Sequence, residues 1–167
     1  FKETVITNVG KIKEGLNLPK VAKRPTVLQL KSPFRIGKLK VVNLLMGTNL
    51  EDKLIGTPRS DLIIGHRQQD QLTSGRGEFG DVFLLNTDQL GKQRADLITD
   101  FTAGDLIALD LEPFSRGGRF KFKTVKKTRQ LRRIARKSHV LIYDISKGEL
   151  FLNQNGKDVG FGDDGGL

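Results

Sequence analysis

Aspartates recur every nine residues in the middle of the chain, and their carboxylate oxygens could bind a divalent cation. Asp52, Asp61 and Asp70 keep this spacing, and Asp81 follows with a displacement of two residues. In the first three units the aspartate takes the sixth position after an initial glycine, and a large aliphatic residue comes two positions later. Clustered hard oxygen ligands are typical of calcium sites. Calcium binding is therefore the first chemistry that this spacing suggests.

The nine-residue period also predicts how the chain would position these side chains. Glycine adopts a positive φ without strain, so a turn of about six residues can begin there and lead into a three-residue strand. Two such units form one coil of a right-handed parallel β-solenoid, also called a β-roll. The aliphatic residues expected to stack inside it are Leu54, Ile63 and Leu72.

Alternate turns of such a roll share one edge. We therefore expect Asp52 to face Asp70, and Asp61 to face the region of Asp81. The predicted fold class is all-β, with the roll over residues 41–112, β-hairpins after it and an extended basic arm before it.

Two later segments extend the pattern to a known family. The nine-residue units resemble the G-G-x-G-x-D-x-U-x repeat of the hemolysin-type, or RTX, calcium-binding β-roll. Residues 95–109 resemble the segment that closes such rolls, in which Asp-x-Ile-x-Asp-Phe leads into Asp-x-Ile-x-Leu. Residues 141–156 are similar to the hairpin that follows it, with Tyr-Asp, Gly-x-Leu and Asn-Gly. The resemblance implies Ca2+ in the turns and a secreted or cell-surface protein.

The turns depart from the family pattern where glycines would let backbone carbonyls face the ion. The second position of the three regular units holds Thr48, Thr57 and His66, and only Gly75 and Gly77 restore the glycines. Cations also lie in or beside the turns, where they could neutralise the carboxylates instead of calcium, at Arg59, Arg67 and Arg76. Two alternatives stay open, and the departures favour a metal-free roll whose aspartates hydrogen-bond to their own turns. The other is calcium at Asp52, Asp61, Asp70, Gly75, Gly77 and Asp81.

The net charge of +10 is unevenly distributed along the 167 residues. Residues 1–40 carry 10 basic and 2 acidic groups, residues 41–112 carry 6 and 12, residues 113–140 carry 11 and 0, and residues 141–167 carry 2 and 5. We therefore divide the chain into a basic extended arm (1–40), the repeat domain (41–112), and a basic insertion with a hairpin extension of that domain (113–167).

The two basic segments are the predicted partner-binding surfaces. Within the second, Phe122 alternates with Lys121 and Lys123 as in a half-buried strand, and apolar residues from Val125 to Ile134 favour a short amphipathic helix. The candidate contacts are Lys11, Lys13, Lys20, Lys23, Arg24, Arg116, Arg119, Lys121, Lys123, Lys126, Lys127, Arg129, Arg132, Arg133, Arg136 and Lys137.

Several function classes find no support in the sequence. The absence of cysteine excludes thiolate zinc sites and cysteine nucleophiles, and two histidines are few for catalysis. Residues 75–80 match G-x-G-x-x-G, but a strand pattern follows them where dinucleotide binding requires a helix. No apolar run approaches the length of about 18 residues typical of a membrane span. We therefore expect a non-enzymatic protein without a transmembrane segment.

The expected function is structural. The protein would act as a linker that docks a β-solenoid onto acidic protein subunits of a larger assembly through its basic segments. The alternative is a secreted or cell-surface RTX-type calcium-binding protein whose basic segments contact acidic polysaccharide. Nucleic acid is a weaker candidate, because few aromatic residues accompany the basic ones of the arm. The compartment, extracellular or within an intracellular assembly, stays open.

Overall fold

Strands predominate in the protein. The computed structural model describes residues 5–6, 9–18, 21–86, 95–110, 121–137, 140–144, 146, 149–153 and 158. Within these residues only two short helices occur, which confirms the prediction of a mostly β protein. Neither described helix has the length and apolar character needed to cross a lipid bilayer. The chain divides into two compact units, Phe1–Thr87 with Asp96–Glu112, and Asp88–Ala95 with Pro113–Leu167.

The elements of the first unit follow one another along the chain as β1 (Val5–Ile6), α1 (Gly10–Leu16), β2 (Thr26–Ile36), β3 (Leu39–Met46), β4 (Lys53–Ile55), β5 (Asp61–Ile64), β6 (Gln71–Thr73), β7 (Val82–Asn86), β8 (Leu97–Ile98) and β9 (Leu106–Asp110). Those of the second unit are β10 (Lys121–Val125), α2 (Thr128–Ile134), β11 (Val140–Asp144) and β12 (Glu149–Leu152).

The first unit contains two sheets, and from β3 to β9 the chain alternates between them. The larger sheet has the order β1-β9-β7-β5-β3-β2, and the smaller has the order β4-β6-β8. Strands β3, β5, β7 and β9 pair in parallel, as do β4, β6 and β8. At one end β2 pairs antiparallel with β3, so the larger sheet is mixed instead of parallel throughout.

The repeat places its aliphatic residues in the interior as predicted. Leu54 is 4% exposed, and Ile63 and Leu72 are fully buried. The central strands of the larger sheet are buried on both faces, however, and all four residues of β5 are buried. Such strands need a covering layer on each side.

The helix α1 and neighbouring residues supply the second covering layer, so the predicted extended arm over residues 1–40 is wrong for the described part of that segment. Val9 and Ile12 are 1% and 4% exposed, and they belong to one core cluster with Leu62 and Ile64 of β5. Residues 26–36 form β2 and pair with β3, with an irregularity between Gln29 and Phe34. Burial of these apolar side chains outweighs the weak local preference for structure.

The second unit is a three-stranded sheet covered by α2. Strand β10 pairs in parallel with β11, and β11 forms an antiparallel hairpin with β12. Val125, Leu131 and Ile142 form its core cluster, against which Ile134 and Phe151 pack. The strand and the short helix predicted in the basic segment are both confirmed.

Stacked turns explain the glycine that opens each repeat unit. A Cβ atom at Gly56 would overlap the carbonyl oxygen of Ser74 in the next turn and lie 3.0 Å from Asp61 Oδ2 of its own unit. At Gly65 an added Cβ would overlap the Asp70 carboxylate. Glycine and aspartate recur together because the carboxylate folds back over the glycine and the next turn packs against it.

We predict that Gly56→Ala lowers the free energy of unfolding by about 1–3 kcal/mol, because the added methyl group overlaps backbone that cannot move independently. Gly104→Ala is the matched control, since its Cβ would meet nothing closer than Thr102 Oγ1 at 3.5 Å. Urea unfolding followed by circular dichroism measures both. Equal losses in the two variants would contradict the stacking explanation.

Candidate functional site

One edge of the first unit carries a ladder of buried side chains. The backbone N–H of Asp61 donates to Asp81 Oδ1 at 2.7 Å, and the N–H of Asp81 donates to Asp105 Oδ1 at 2.8 Å. Asn43 continues the ladder at one end, where its Nδ2 donates to Asp61 Oδ1 at 2.7 Å. The three aspartates lie at or directly before the starts of β5, β7 and β9, and Asn43 lies within β3 at the position that pairs with Asp61. The carboxylates of Asp81 and Asp105 thus bind the backbone at the neighbouring parallel strand, which fixes the register between the strands.

A second ladder lies at the starts of the strands of the smaller sheet. The N–H of Asp52 donates to Asp70 Oδ1 at 2.8 Å, and the N–H of Asp70 donates to Asp96 Oδ1 at 3.0 Å. The predicted juxtapositions of Asp52 with Asp70 and of Asp61 with Asp81 are therefore confirmed. The repeat pattern did not identify Asn43, Asp96 and Asp105 as members of the two ladders. Asn43 could have been found, since it lies 18 residues, or two repeat lengths, before Asp61.

Threonines supply the remaining hydrogen bonds in three turns. Thr57 donates its N–H to Asp61 Oδ2 and its hydroxyl to Asp61 Oδ1. Thr48 donates both groups to Asp52 Oδ2. Thr102 does the same for Asp105 Oδ2, at 2.7 and 3.0 Å. The threonine at the second position of the repeat thus hydrogen-bonds to the carboxylate of its own turn.

The third turn lacks this arrangement. His66 takes the place of threonine, with φ 77°, and Gln68 has φ 71°, both in the left-handed region that strains residues with a Cβ. Asp70 Oδ2 and His66 Nε2 are buried, with no hydrogen-bond partner among the described residues. Burial raises the pKa of Asp70 to about 6, and the Asp52 carboxylate contributes to this rise. Burial also lowers the pKa of His66.

Two other ladder carboxyls are perturbed in the same direction. Burial raises the pKa of Asp81 to about 7, the N–H of Asp61 opposes the rise, and the Asp61 and Asp105 carboxylates add to it. Burial likewise raises the pKa of Asp96 to about 7, and Asp70 adds to the rise. The two ladders therefore contain several carboxyl groups with raised pKa values, which stay partly protonated near neutral pH.

The donor set of the threonine turns does not fit a calcium ion. Both oxygens of Asp61 accept hydrogen bonds from N–H and O–H groups, so hydrogen atoms occupy the directions from which a cation would approach. No group of three or more histidine, aspartate or glutamate side chains in the described part of the chain has the geometry of a metal site. Gly75 and Gly77 serve close packing here, since a Cβ on either would approach carbonyl oxygens of residues 56–58.

Arg59, Arg67 and Arg76, which could have neutralised the aspartates, do not do so, whereas the favoured hydrogen bonds within the turns form, as from Thr57 to Asp61. All three arginine side chains are exposed. The carboxylates bond to backbone N–H and threonine hydroxyl groups instead, because these lie within the same stacked turns. An arginine could reach them only by burying its guanidinium at a large desolvation cost.

Burial of the ladders removes several acids from the surface of the repeat block. Asp61, Asp70, Asp81 and Asp105 are between 0% and 3% exposed. Asp52, Asp96 and Asp100 are half-buried. The exposed acids described within residues 41–112 are Glu51 and Glu78, whereas the exposed cations are Lys53, Arg59, Arg67 and Arg76. The described surface of the block is therefore less acidic than its formal charge of −6 indicates.

The second unit concentrates the remaining positive charge. Every lysine and arginine between residues 121 and 137 is exposed, namely Lys121, Lys123, Lys126, Lys127, Arg129, Arg132, Arg133, Arg136 and Lys137. In the first unit Lys11, Lys23 and Arg24 are exposed and Lys13 is half-buried. The predicted contacts Lys20, Arg116 and Arg119 lie outside the described residues. The structure thus brings nine of the predicted partner-binding residues into one continuous segment.

Comparisons with protein-family models, with curated proteins and with solved structures found no match to this chain. The RTX resemblance therefore stays a prediction from the repeat and from the two later segments.

The raised carboxyl pKa values predict an unusual dependence of stability on pH. Because Asp70, Asp81 and Asp96 bind protons more tightly in the folded state than in the unfolded state, stability should fall as pH rises from about 4 to 7. His66, whose pKa is lowered, acts in the opposite direction but is a single group. Urea unfolding at several pH values measures the slope.

Asp81→Asn should reduce this slope, since the amide oxygen can still accept the N–H of Asp61 but does not ionise. We expect the free energy of unfolding of this variant to rise by about 1 kcal/mol or more relative to that of wild type as the pH increases from 5 to 8. Glu78→Gln, an exposed change in the same turn, is the control and should leave the slope unchanged. A slope equally steep in the Asp81 variant would rule out this carboxyl as its source.

Proposed function

We propose that this protein is a non-enzymatic structural module that docks onto acidic protein subunits through the basic surface of its second unit. The observation that carries the proposal is the run of nine exposed cations between residues 121 and 137. Like charges at such density repel one another, and an acidic partner would relieve that repulsion.

Few exposed acids accompany these cations in the described part of the second unit. Among the described residues of 113–167, Asp144 is fully buried and Glu149 is half-buried, which leaves Asp158 as the exposed acid. Asp144 Oδ1 accepts hydrogen bonds from the N–H and hydroxyl groups of Ser146, so that carboxylate has a local structural role. The nine cations are therefore available to an external partner.

The basic surface is also held rigidly. Leu131 of α2 packs in the core cluster with Val125 and Ile142. Asn153 Nδ2 donates to the carbonyl oxygens of Ala135 and Lys137, at 2.7 and 2.6 Å, and so holds the end of the helix. A surface fixed in this way loses little conformational entropy when it binds.

The first unit supplies a rigid body for such a module. We propose that β3 to β9 form a short β-roll, supported by the parallel pairing of alternate strands in two sheets and by the two aspartate ladders. We further propose that the threonine hydrogen bonds replace calcium as the stabilising element of its turns.

Docking can be tested by capturing partners from native lysate with the tagged full chain at physiological ionic strength. The proposal expects an acidic protein whose capture falls when Lys126, Lys127, Arg132 and Arg133 are changed to glutamine. Changing four exposed cations of the first unit, Lys31, Arg35, Lys40 and Lys53, removes the same charge and should have a smaller effect. Equal effects of the two variants, or capture of nucleic acid alone, would count against the proposal.

The role of calcium is tested by thermal unfolding in EGTA and in millimolar calcium at pH 8, which lies above the raised pKa values of Asp70, Asp81 and Asp96. We expect equal melting temperatures, because hydrogen-bond donors already occupy the carboxylate oxygens of the threonine turns. The alternative, a secreted calcium-binding roll, draws support from the unpartnered Asp70 Oδ2. That alternative expects a marked rise in melting temperature with calcium, as for any ligand that binds only the folded state.

A further inference from the structure

Four arginines share one face of the segment that contains α2. Arg129, Arg132, Arg133 and Arg136 are all exposed, and they follow the spacing i, i+3, i+4, i+7. Residues at this spacing lie on one side of a helix. Ala135 keeps helical backbone angles, φ −58° and ψ −15°, so the face continues to Arg136 just beyond the last helical residue. The four side chains extend over about 10 Å of helix axis. We call this set the arginine face.

The opposite side of the helix fixes the direction of the arginine face. Leu131 and Ala135 are 8% and 4% exposed, and Ile134 packs against the core cluster of the second unit. Gln130 Oε1 accepts the N–H of Lys126 at 3.0 Å and anchors the start of the helix. With both ends and the apolar side held, the arginine face points to solvent in one orientation.

Arginine and lysine are segregated among the described residues of this unit. Lys121 and Lys123 lie on β10, Lys126 and Lys127 lie in the turn before α2, and Lys137 follows Arg136, whereas the exposed cations of the helical face are arginines. The guanidinium group presents several donors in a planar fork that can bind both oxygens of a carboxylate, whereas the ammonium of lysine is a point charge. The arginine face therefore suits a ligand whose carboxylates have defined positions, and the lysines suit general attraction.

Resting on the proposed function, we propose that the arginine face binds an acidic α-helix of the partner protein, with carboxylates at the same i, i+3, i+4, i+7 spacing. Such a helix would place its acids over the same 10 Å or so, so that each arginine meets one carboxylate. The binding energy would come from paired guanidinium–carboxylate contacts.

The described residues favour a protein helix over nucleic acid. The aromatic side chains described in the second unit, Tyr143 and Phe151, are half-buried and offer little surface for base stacking. Gln130, the amide side chain of α2 that could read an adenine, has its oxygen engaged by the backbone N–H of Lys126.

The test uses two synthetic peptides of equal composition, one helical with glutamates at the i, i+3, i+4, i+7 positions and one with the glutamates scrambled. The full chain should bind the first about tenfold more tightly than the second in a fluorescence anisotropy titration. Duplex DNA at the same ionic strength is the third probe. Tighter binding to DNA than to the patterned peptide, or equal binding of the two peptides, would overturn the proposal.

Two charge variants separate geometry from charge. Changing the four arginines to lysine keeps the net charge and should weaken binding of the patterned peptide about tenfold. Changing Lys121, Lys123, Lys126 and Lys127 to glutamine removes four charges, yet it should weaken binding only about threefold. The reverse order would overturn the proposal. Circular dichroism verifies that both variants, which alter exposed side chains, keep the fold.

Failure of helix recognition can be distinguished from failure of the proposed docking function. If the arginine-to-lysine variant still captures the acidic partner as well as wild type, helix recognition fails while docking through the basic unit stands. If neutralising cations of the basic unit has no effect on capture, docking itself fails.

Discussion

The first unit depends on buried aspartate carboxylates that accept backbone N–H groups from the neighbouring parallel strand. Each bond joins the start of one strand to the start of the next, as from Asp61 to Asp81 and from Asp52 to Asp70. A buried carboxylate is costly without such donors, and a buried N–H is costly without an acceptor. Both costs are avoided only when neighbouring strands lie in this register, because each buried N–H then donates to a buried carboxylate. Glycine follows as a requirement, because the carboxylate and the next turn fill the space that a Cβ at Gly56 would need.

The same burial separates the two kinds of charge. The ladders bury aspartate carboxyl groups, and burial raises the pKa values of several of them, whereas the described arginines and most lysines are exposed to solvent. A repeat block that is formally acidic thus exposes fewer acids than its sequence contains, while its described arginines stay exposed. Charge counted along a sequence therefore misleads about binding wherever one sign is buried in the interior.

Local spacing was enough to predict part of the site. A nine-residue period returns every second turn to the same edge, so the pairing of Asp52 with Asp70 and the burial of Leu72 follow from counting. The nine-residue period does not predict what covers the second face of the larger sheet. The sequence feature that indicates a covering layer is the run of adjacent apolar residues in β5, because side chains of adjacent strand residues point to opposite faces. The structure shows that α1 covers this second face. The weak local patterning of residues 1–40 concealed a segment ordered by tertiary contact.

The sequence by itself determined the repeat, the strand-rich fold and the concentration of cations between residues 121 and 137, because these depend on composition and period. The sequence favoured hydrogen bonds from the aspartates to their own turns, and only the tertiary structure decided which donors make them. Thr48 and Thr57 bond to the carboxylates within their turns, whereas Arg59 stays in solvent. That choice depends on which donors reach a buried oxygen without burying a further charge, a property of packing in three dimensions. The common direction of the four arginines was decided in the same way, by the burial of Leu131 on the opposite side of α2.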